Sequence, residues 1–128
     1  MNNKITTLIF TTLLAFSLYA QEKVTVELDF GGKKDNETIE ITWYEGMTAL
    51  TALQSVATVE TQSFQQHIIV VAINNIRSER GKMAWYYMVN NEVARELPSH
   101  NQINAGDTVR WIFIEDVCSR TVDEESER

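Results

Sequence analysis

Residues 68–89 read IIVVAINNIRSERGKMAWYYMV and contain the two segments that decide the fold. Ile68 to Ile73 is continuously apolar and rich in β-branched residues, which is typical of a central strand covered on both faces. Trp85 to Val89 carries large aromatic side chains, which favour another strand. Asn90-Asn91 can adopt the positive φ angles of a tight hairpin turn into Glu92-Val93-Ala94. This stretch therefore predicts strands of a sheet.

The segment upstream has the alternation of a half-buried hairpin. Val24 to Phe30 alternates apolar and polar residues, and Thr38 to Trp43 does so again. Gly31-Gly32 stands between the two runs and marks a chain reversal. We therefore expect an antiparallel pair of strands with one face in the core and the other in water.

The spacing of the apolar residues changes after this hairpin. From Thr48 to about Thr58 it is that of one helix, with Thr48 as the N-cap. The apolar stripe of this helix consists of Ala49, Leu50, Leu53, Val56 and Ala57. Glu60 to Gln66 is polar, and we predict a loop there.

A last strand is predicted near the end of the domain. Val109, Trp111 and Phe113 share one face of it, while Arg110 and Ile112 share the other. The order of elements is thus two strands, one helix and three or more strands. We predict a single α+β domain, in which one helix covers a face of a β-grasp-like mixed sheet.

The two ends of the chain differ from the domain between them. Residues 1–20 resemble a signal peptide, with a short positive start, an apolar stretch and the small residue Ala20 before the cut. We predict cleavage there and a secreted or periplasmic location. The domain then spans residues 21–116, and residues 117–128 form an acidic tail that we expect to be disordered. No later run approaches the length of about 18 apolar residues, so we expect no transmembrane segment.

Charge and cysteine content exclude several kinds of partner. The 128-residue chain has a formal net charge of −7, which becomes −8 when the signal peptide and its one lysine are removed. Nucleic acids are bound by clustered Lys and Arg, so we expect no nucleic-acid partner. Cys118 is the single cysteine and cannot form an internal disulfide. We interpret it as an unreactive thiol of the tail, with a reactive or pairing role as the alternative.

The sequence shows no catalytic constellation and no set of metal ligands. His67 and His100 are far apart and lie outside any zinc-binding spacing, so we interpret both as structural or exposed. Glu115-Asp116 lacks the spacing of a calcium loop and is assigned to a solvated acidic end. Asn74-Asn75 is assigned to hydrogen bonding of the backbone where a strand ends. We expect no enzymatic activity, no metal site and no covalently bound cofactor.

The aromatic strand is the most informative feature for function. Trp85, Tyr87 and Val89 point to one side of the strand, while Tyr86 and Met88 point to the other. One set can pack on the helix. The other is either sealed as a further part of the core or left open for a ligand or a partner. Tyr86 is therefore a candidate contact residue.

Four motifs of this sequence resemble a known family. Ile69 to Ile76 is an apolar strand that ends in Ile-Asn-Asn-Ile, and after eight residues it is followed by the aromatic strand Trp85 to Val89. This order is similar to that in the C-terminal β domain of intrinsic factor and transcobalamin. Glu45-Gly46 and Gly106-Asp107 also resemble the small bacterial secreted domains grouped as transcobalamin-like C-terminal domains, of the DUF4430 type. The resemblance covers most of residues 24 to 115.

The resemblance implies a ligand and a way of binding it. In those vitamin B12 carriers the β domain closes one side of the corrinoid, and a larger helical barrel covers the other side. The ligand-facing positions that it implies are Gln65, Val70, Met88 and Arg95. A neutral His67 as a ligand of cobalt is an alternative to its structural role. The sequence has no counterpart of the barrel, so we expect a second protein or a self-dimer to complete the site.

Two functional hypotheses follow. The first is a secreted, non-enzymatic module that binds a corrinoid or a similar large flat molecule through apolar burial and a few hydrogen bonds. The second is a module at the cell surface, in which exposed aromatic side chains or a sheet edge bind a protein or a glycan. Titration with a corrinoid and capture of a protein partner distinguish the two.

Overall fold

The computed structural model describes residues 21–118. The predicted signal peptide, residues 1–20, and residues 119–128 of the predicted tail lie outside the described residues. In chain order the elements are β1 (Lys23–Asp29), β2 (Glu37–Thr42), α1 (Ala49–Val56), β3 (Val59–Phe64), β4 (His67–Ile73), β5 (Ile76–Arg77), β6 (Met83–Val89), β7 (Glu92–Val93) and β8 (Thr108–Glu115).

The predicted hairpin is confirmed by the antiparallel pair β1 and β2. Val24, Val26 and Leu28 of β1 are buried, as their alternation with polar residues requires. Gly31 follows β1 with a φ of 62°, and a Cβ at this position would lie 2.4 Å from the carbonyl oxygen of Phe113. Any other residue would clash there, so the glycine fixes how closely this turn approaches β8.

The predicted helix is confirmed as α1, and Thr48 is its N-cap. The Thr48 hydroxyl accepts a hydrogen bond from the Thr51 amide at 3.1 Å, and the Thr51 hydroxyl accepts one from the Thr48 amide at 2.8 Å. This reciprocal pair satisfies two backbone donors that a helix start leaves open. The core side of the helix consists of Ala49, Leu50, Ala52 and Leu53. No helix within residues 21–118 has the length and apolar character needed to cross a bilayer.

Five strands form the main sheet, in the order β2-β1-β8-β6-β7. The central pair of β1 and β8 is parallel and the other pairs are antiparallel, so the sheet is mixed. Asn90 and Asn91 join β6 to β7 with φ angles of 52° and 65°, which confirms the predicted tight turn. The core face of β6 and β8 is buried and consists of Trp85, Tyr87, Val109, Trp111 and Phe113. Residues 21–118 therefore form a single α+β domain with a mixed sheet covered by α1, as predicted.

A second sheet, which the sequence did not predict, has the order β3-β4-β5. The loop expected over Glu60 to Gln66 is wrong, because residues up to Phe64 form β3 and pair with β4. The expectation that Ile68 to Ile73 is covered on both faces is also wrong, since Ile68 and Ile69 are 37% and 42% exposed. The hairpin of β3 and β4, residues 59–73, projects from the main sheet, and we call it the arm.

Hydrogen bonds attach the base of the arm to the main sheet. The Trp85 indole Nε1 donates to the carbonyl oxygen of Ile76 at 2.8 Å, and the Trp85 amide donates to the Ser78 hydroxyl at 3.3 Å. The Asn74 side-chain oxygen accepts from the Thr58 amide at 2.9 Å. This last bond confirms the backbone-capping role expected of Asn74. The arm is therefore held over Trp85.

Candidate functional site

A hollow of about 270 Å³ lies at the edge of the main sheet, beside the arm. It forms because β7 pairs with only two residues of β6, so the rest of β6 has no strand beside it on that side. Ile69 and Val70 of the arm form one wall, and residues 94–98 form another. Its floor is made by Trp85, Tyr87 and Trp111. We call it the edge hollow.

The floor of the edge hollow is a fixed aromatic surface. The rings of Tyr87 and Trp111 stack with centroids 4.9 Å apart and planes 22° apart. The Tyr87 hydroxyl donates to the carbonyl oxygen of Glu96 and accepts from the Asn101 side-chain amide at 3.3 Å. Burial raises the pKa of Tyr87. This hydroxyl therefore stays neutral at physiological pH and holds the 94–98 wall in place.

One polar atom of the floor lacks a partner. The indole Nε1 of Trp111 is buried, and nothing within the described part of the chain accepts its hydrogen bond. A buried donor without an acceptor costs about 1–3 kcal/mol. A water molecule or an oxygen of a ligand would remove this cost.

A second, smaller hollow of about 190 Å³ lies on the opposite face of the same strands. Helix α1 packs on the other face of the main sheet, and we call the depression on this face the open-face hollow. Its lining is apolar and aromatic, and Val93 and Ile114 in it are 72% and 40% exposed. Tyr86 and Met88 also line it. The alternation predicted for β6 is confirmed, because Trp85 and Tyr87 are buried in the core, whereas Tyr86 and Met88 on the other face are only partly buried.

Tyr86 is anchored by a buried carboxylate beside the open-face hollow. Its hydroxyl donates to Asp116 Oδ1 at 3.2 Å, and Asp116 Oδ2 accepts from the Gly81 amide at 2.9 Å. Burial raises the pKa of Tyr86, and hydrogen bonds to Cys118 and Asp116 raise it further. Asp116 is only 4% exposed. Its assignment to a solvated acidic end is therefore wrong, because two hydrogen bonds compensate for its burial.

The five predicted contact residues do not meet in one place. Val70, Tyr86 and Arg95 line the edge hollow, although Val70 is itself buried. Met88 lines the open-face hollow together with Tyr86. Gln65 lies in the turn at the tip of the arm, with a φ of 47°, and lines neither hollow. Its place there is explained by the turn geometry alone.

Sequence reasoning missed two parts of the edge hollow. Trp111 was assigned only to the buried face of a strand, and Arg95 was the one residue of the wall from Ala94 to Pro98 that was expected to contact a ligand. The hydrogen bond from Tyr87 to Glu96 that fixes this wall joins residues nine positions apart outside regular structure. No periodic pattern signals such a contact. The predicted tight turn at Asn90-Asn91 was the one sequence signal that the following segment runs back beside β6.

A larger hollow of about 420 Å³ beside the Asn90 turn is a weaker candidate. Its lining is mostly polar, and its polar side chains bond to one another. The side-chain amide nitrogen of Asn90 donates to Asp107 Oδ1 at 2.8 Å, and the side-chain oxygen of Asn90 accepts from the backbone amide of Thr108 at 2.9 Å. These groups hold two turns together. They are therefore not available for a ligand.

The described residues contain no cluster of three His, Cys, Asp or Glu side chains that could hold a metal ion. His67 and His100 are both exposed, one at the start of β4 and the other after Pro98. Cys118 is also exposed, and its thiol contacts the Tyr86 hydroxyl. The chemistry that these two hollows offer is therefore apolar burial with a few hydrogen bonds.

Comparison with solved structures finds the same fold in two other proteins. A protein of Ruminococcus gnavus ATCC 29149, named as a candidate metal-binding protein, superposes with a TM-score of 0.63 at 14% identity, over 74% of this chain and 98% of that one. Haptocorrin in complex with Cbi superposes with a TM-score of 0.56 at 13% identity, over 70% of this chain. This chain corresponds to only 24% of the haptocorrin chain. At these identities the likeness shows a shared fold, that of the transcobalamin-like β domain.

The family itself is identified from sequence. The model of the domain of unknown function DUF4430 matches residues 46–115, which is more than half of the chain. The chain belongs to the DUF4430 family, as its motifs indicated. No curated protein sequence matches it significantly.

Proposed function

We propose that this protein is a non-enzymatic module that binds a large flat, mostly apolar molecule in the edge hollow, with a corrinoid as the leading candidate. The observation that carries the proposal is the edge hollow itself, in which an aromatic floor and an apolar wall lie beside Val70, Tyr86 and Arg95. These are three of the five positions expected to contact a ligand. The fold shared with haptocorrin, a protein solved with bound Cbi, supports the choice of ligand.

Binding would combine apolar burial with a few polar contacts. The Tyr87 and Trp111 rings are 8% and 2% exposed, so a ligand would contact only the part of them that borders the edge hollow, together with Ile69 of the arm. Arg95 is exposed at the rim and can donate hydrogen bonds to a carbonyl or an anionic group. No covalent step is involved.

The size of the edge hollow implies that the site is incomplete. At about 270 Å³ it falls below the usual range of roughly 300–1,000 Å³ for pockets that enclose a small molecule. A corrinoid would therefore leave most of its surface in water. We expect weak binding by the isolated chain and stronger binding when a second protein or a second copy covers the other side of the ligand.

The test is titration of the purified protein with cyanocobalamin, followed by calorimetry and visible absorbance. Ala94→Trp places a large ring in the edge hollow and should abolish binding, whereas Ala105→Trp, in a distant turn, should not. Arg95→Ala should weaken binding about 3- to 10-fold, the cost of one charged hydrogen bond at an exposed site. Lys33→Ala removes the same charge elsewhere and is its control. No heat and no spectral change at high micromolar protein would exclude corrinoid binding by this chain.

The interaction module remains as a second candidate because of the open-face hollow. Val93 and Ile114 expose apolar surface there, and exposed apolar clusters mark sites of association. In this case Tyr86→Ala should abolish capture of a protein or glycan partner while no small molecule binds. Retained capture by the Tyr86→Ala protein would remove this candidate.

The proposal includes export of the protein to the periplasm or out of the cell. It is supported by the charged start, the apolar stretch and the small residue at Ala20. Mass spectrometry of the protein from its host should show a mature N-terminus at Gln21. A chain that retains Met1 in all fractions would contradict export by this signal.

A further inference from the structure

A further hollow, of about 290 Å³, lies on the other side of the arm. It shares Ile69, Val70 and Trp85 with the edge hollow, so the two adjoin where the arm passes over Trp85. Its remaining lining is different in character, because it includes Arg77, Ser78 and Arg80. We call it the basic hollow.

The basic side chains are notable for an acidic chain. The protein carries a net charge of −7, yet three of the four arginines within residues 21–118 line the two adjoining hollows. They are Arg77, Arg80 and Arg95. Two of the three belong to the basic hollow, which has Asp116 as its one acidic lining residue. The lining residues themselves have more positive than negative charges, and Glu60, which pairs with Arg77 from outside the lining, balances the remaining one.

Arg77 forms an ion pair in which another anion could replace its partner. It pairs with Glu60 of the arm, and the two side chains are 61% and 49% exposed. Exposed pairs of this kind contribute only about 0–1 kcal/mol. A competing anion could therefore replace Glu60 at small cost. The planar guanidinium also matches the two oxygens of a carboxylate or a phosphate.

Two neutral donors accompany the arginine. The Ser78 hydroxyl accepts a hydrogen bond from the Trp85 amide at 3.3 Å, and it keeps its own proton to donate. The Gln62 amide stands on β3 in the same lining. Arg80 and Asp116 both have interaction partners in the protein, and Asp116 is committed to Gly81 and Tyr86. Arg77, Ser78 and Gln62 are therefore the hydrogen-bond donors that this hollow offers to a ligand.

We propose that the basic hollow binds an anionic oxygen group, a phosphate or a carboxylate, of the same ligand whose apolar body lies in the edge hollow. The inference rests on the proposed function for the identity of the ligand, but the anion site can be tested without it. An apolar surface next to a hydrogen-bonding arginine selects ligands that carry an anion beside a flat body. Ligands without the anion should bind less tightly.

The first test uses inorganic phosphate alone. In amide and side-chain NMR spectra of the ¹⁵N-labelled protein, sodium phosphate should shift the signals of Arg77, Ser78 and Gln62, and sodium chloride at equal ionic strength should not. Acetate in a parallel titration shows whether a carboxylate is accepted as well. Arg77→Gln should weaken phosphate binding at least threefold, and Arg77→Lys should restore only part of it. Lys33→Gln removes one positive charge outside both hollows, so it is the matched control and should leave phosphate binding unchanged.

The second test compares two corrinoids. Cyanocobalamin contains a phosphodiester, and dicyanocobinamide does not. We expect tighter binding of cyanocobalamin, and Arg77→Gln should remove the difference. Equal binding of both corrinoids would overturn the inference and leave the proposed function intact. Phosphate shifts spread evenly over all lysines and arginines, or unchanged in the Arg77→Gln protein, would overturn the anion site as well.

Discussion

Along β4 the exposed fraction of the isoleucines falls from 42% at Ile69 to 0% at Ile73. The arm therefore changes within five residues from a projecting hairpin to part of the core. The main sheet shows no such gradient on its core face, where Val24, Val26 and Val109 are all fully buried. Stability should thus come from the main sheet and the arm base. The outer arm remains available to shape the hollows on its two sides.

The comparison is tested most directly by equal substitutions at the two ends of one strand. Ile73→Ala removes a fully buried side chain and should cost about 2–5 kcal/mol of unfolding free energy. Ile69→Ala removes the same atoms from a largely exposed site and should cost less than about 1 kcal/mol. Urea denaturation followed by tryptophan fluorescence measures both. Similar losses at the two positions would show that the outer arm is as important for stability as its base.

This gradient also explains which parts of the fold could be predicted from sequence. Where one face of a strand is buried and the other is wet, as in β1 and β8, the residues alternate and the strand is visible. In β3 both faces are exposed beyond Val59, so the polar run from Glu60 to Ser63 has the composition of a loop. In β4 the isoleucines near the tip are apolar but uncovered. A local sequence pattern shows which residues are apolar. Whether those of β4 are buried depends on how the arm lies relative to the main sheet.

The junction of arm and sheet should be the next most sensitive place. Asn74 has a φ of 48°, and its side chain accepts the hydrogen bond from the Thr58 amide. Asn74→Ala loses this bond and puts an unfavourable residue in the left-handed region, so we expect a cost of about 1–3 kcal/mol. Asn74→Gly loses only the bond and should cost about 1 kcal/mol less than alanine. Equal effects in thermal melts would mean that backbone strain is absent.

The tip of the arm should respond in the opposite direction. Gln65 and Gln66 both have positive φ angles, 47° and 69°, in a two-residue turn that favours Asn-Gly. Replacing the pair by Asn-Gly should stabilise the arm by about 0.5–1 kcal/mol. Hydrogen exchange should show the gain in the amides of β3 and β4, while protection in β1 and β8 stays the same. Greater protection throughout the protein would mean that arm and sheet unfold together.

The site was only partly predictable for the same reason as the arm. Tyr86 followed from strand alternation, and Val70 and Arg95 from the family resemblance; the structure brings all three to the edge hollow. Asp116 was assigned to solvent because it precedes an acidic tail, and its burial depends on contacts with Gly81 and Tyr86, which are 35 and 30 positions away. Contacts of that separation leave no periodic trace in the sequence. The basic hollow is likewise formed by residues of β3, β4, β5 and β6 that only the arm brings together.

The smallest expected effect compares an ion pair of the sheet with one of the arm. Asp29 accepts hydrogen bonds from the Gly31 amide and the Arg110 guanidinium, and both lower its pKa. A carboxylate with a lowered pKa in the folded state stabilises the protein above its unfolded pKa, near 4, and this contribution is lost as the pH falls through the folded value. Asp29→Asn should therefore reduce stability at pH 7 by at most about 1 kcal/mol and make no difference in strong acid.

The matched change in the arm is Glu60→Gln, which removes the exposed pair with Arg77. Because solvent screens this pair more than the Asp29–Arg110 pair, whose side chains are 21% and 36% exposed, we expect a change of only a few tenths of a kcal/mol. Urea melts of both variants between pH 2 and pH 7 measure the two contributions. A larger pH-dependent loss for Glu60→Gln than for Asp29→Asn would mean that the Glu60–Arg77 pair holds the arm in place. An incoming anion would then replace Glu60 at Arg77 less readily. The basic hollow would bind phosphate only if the arm moved.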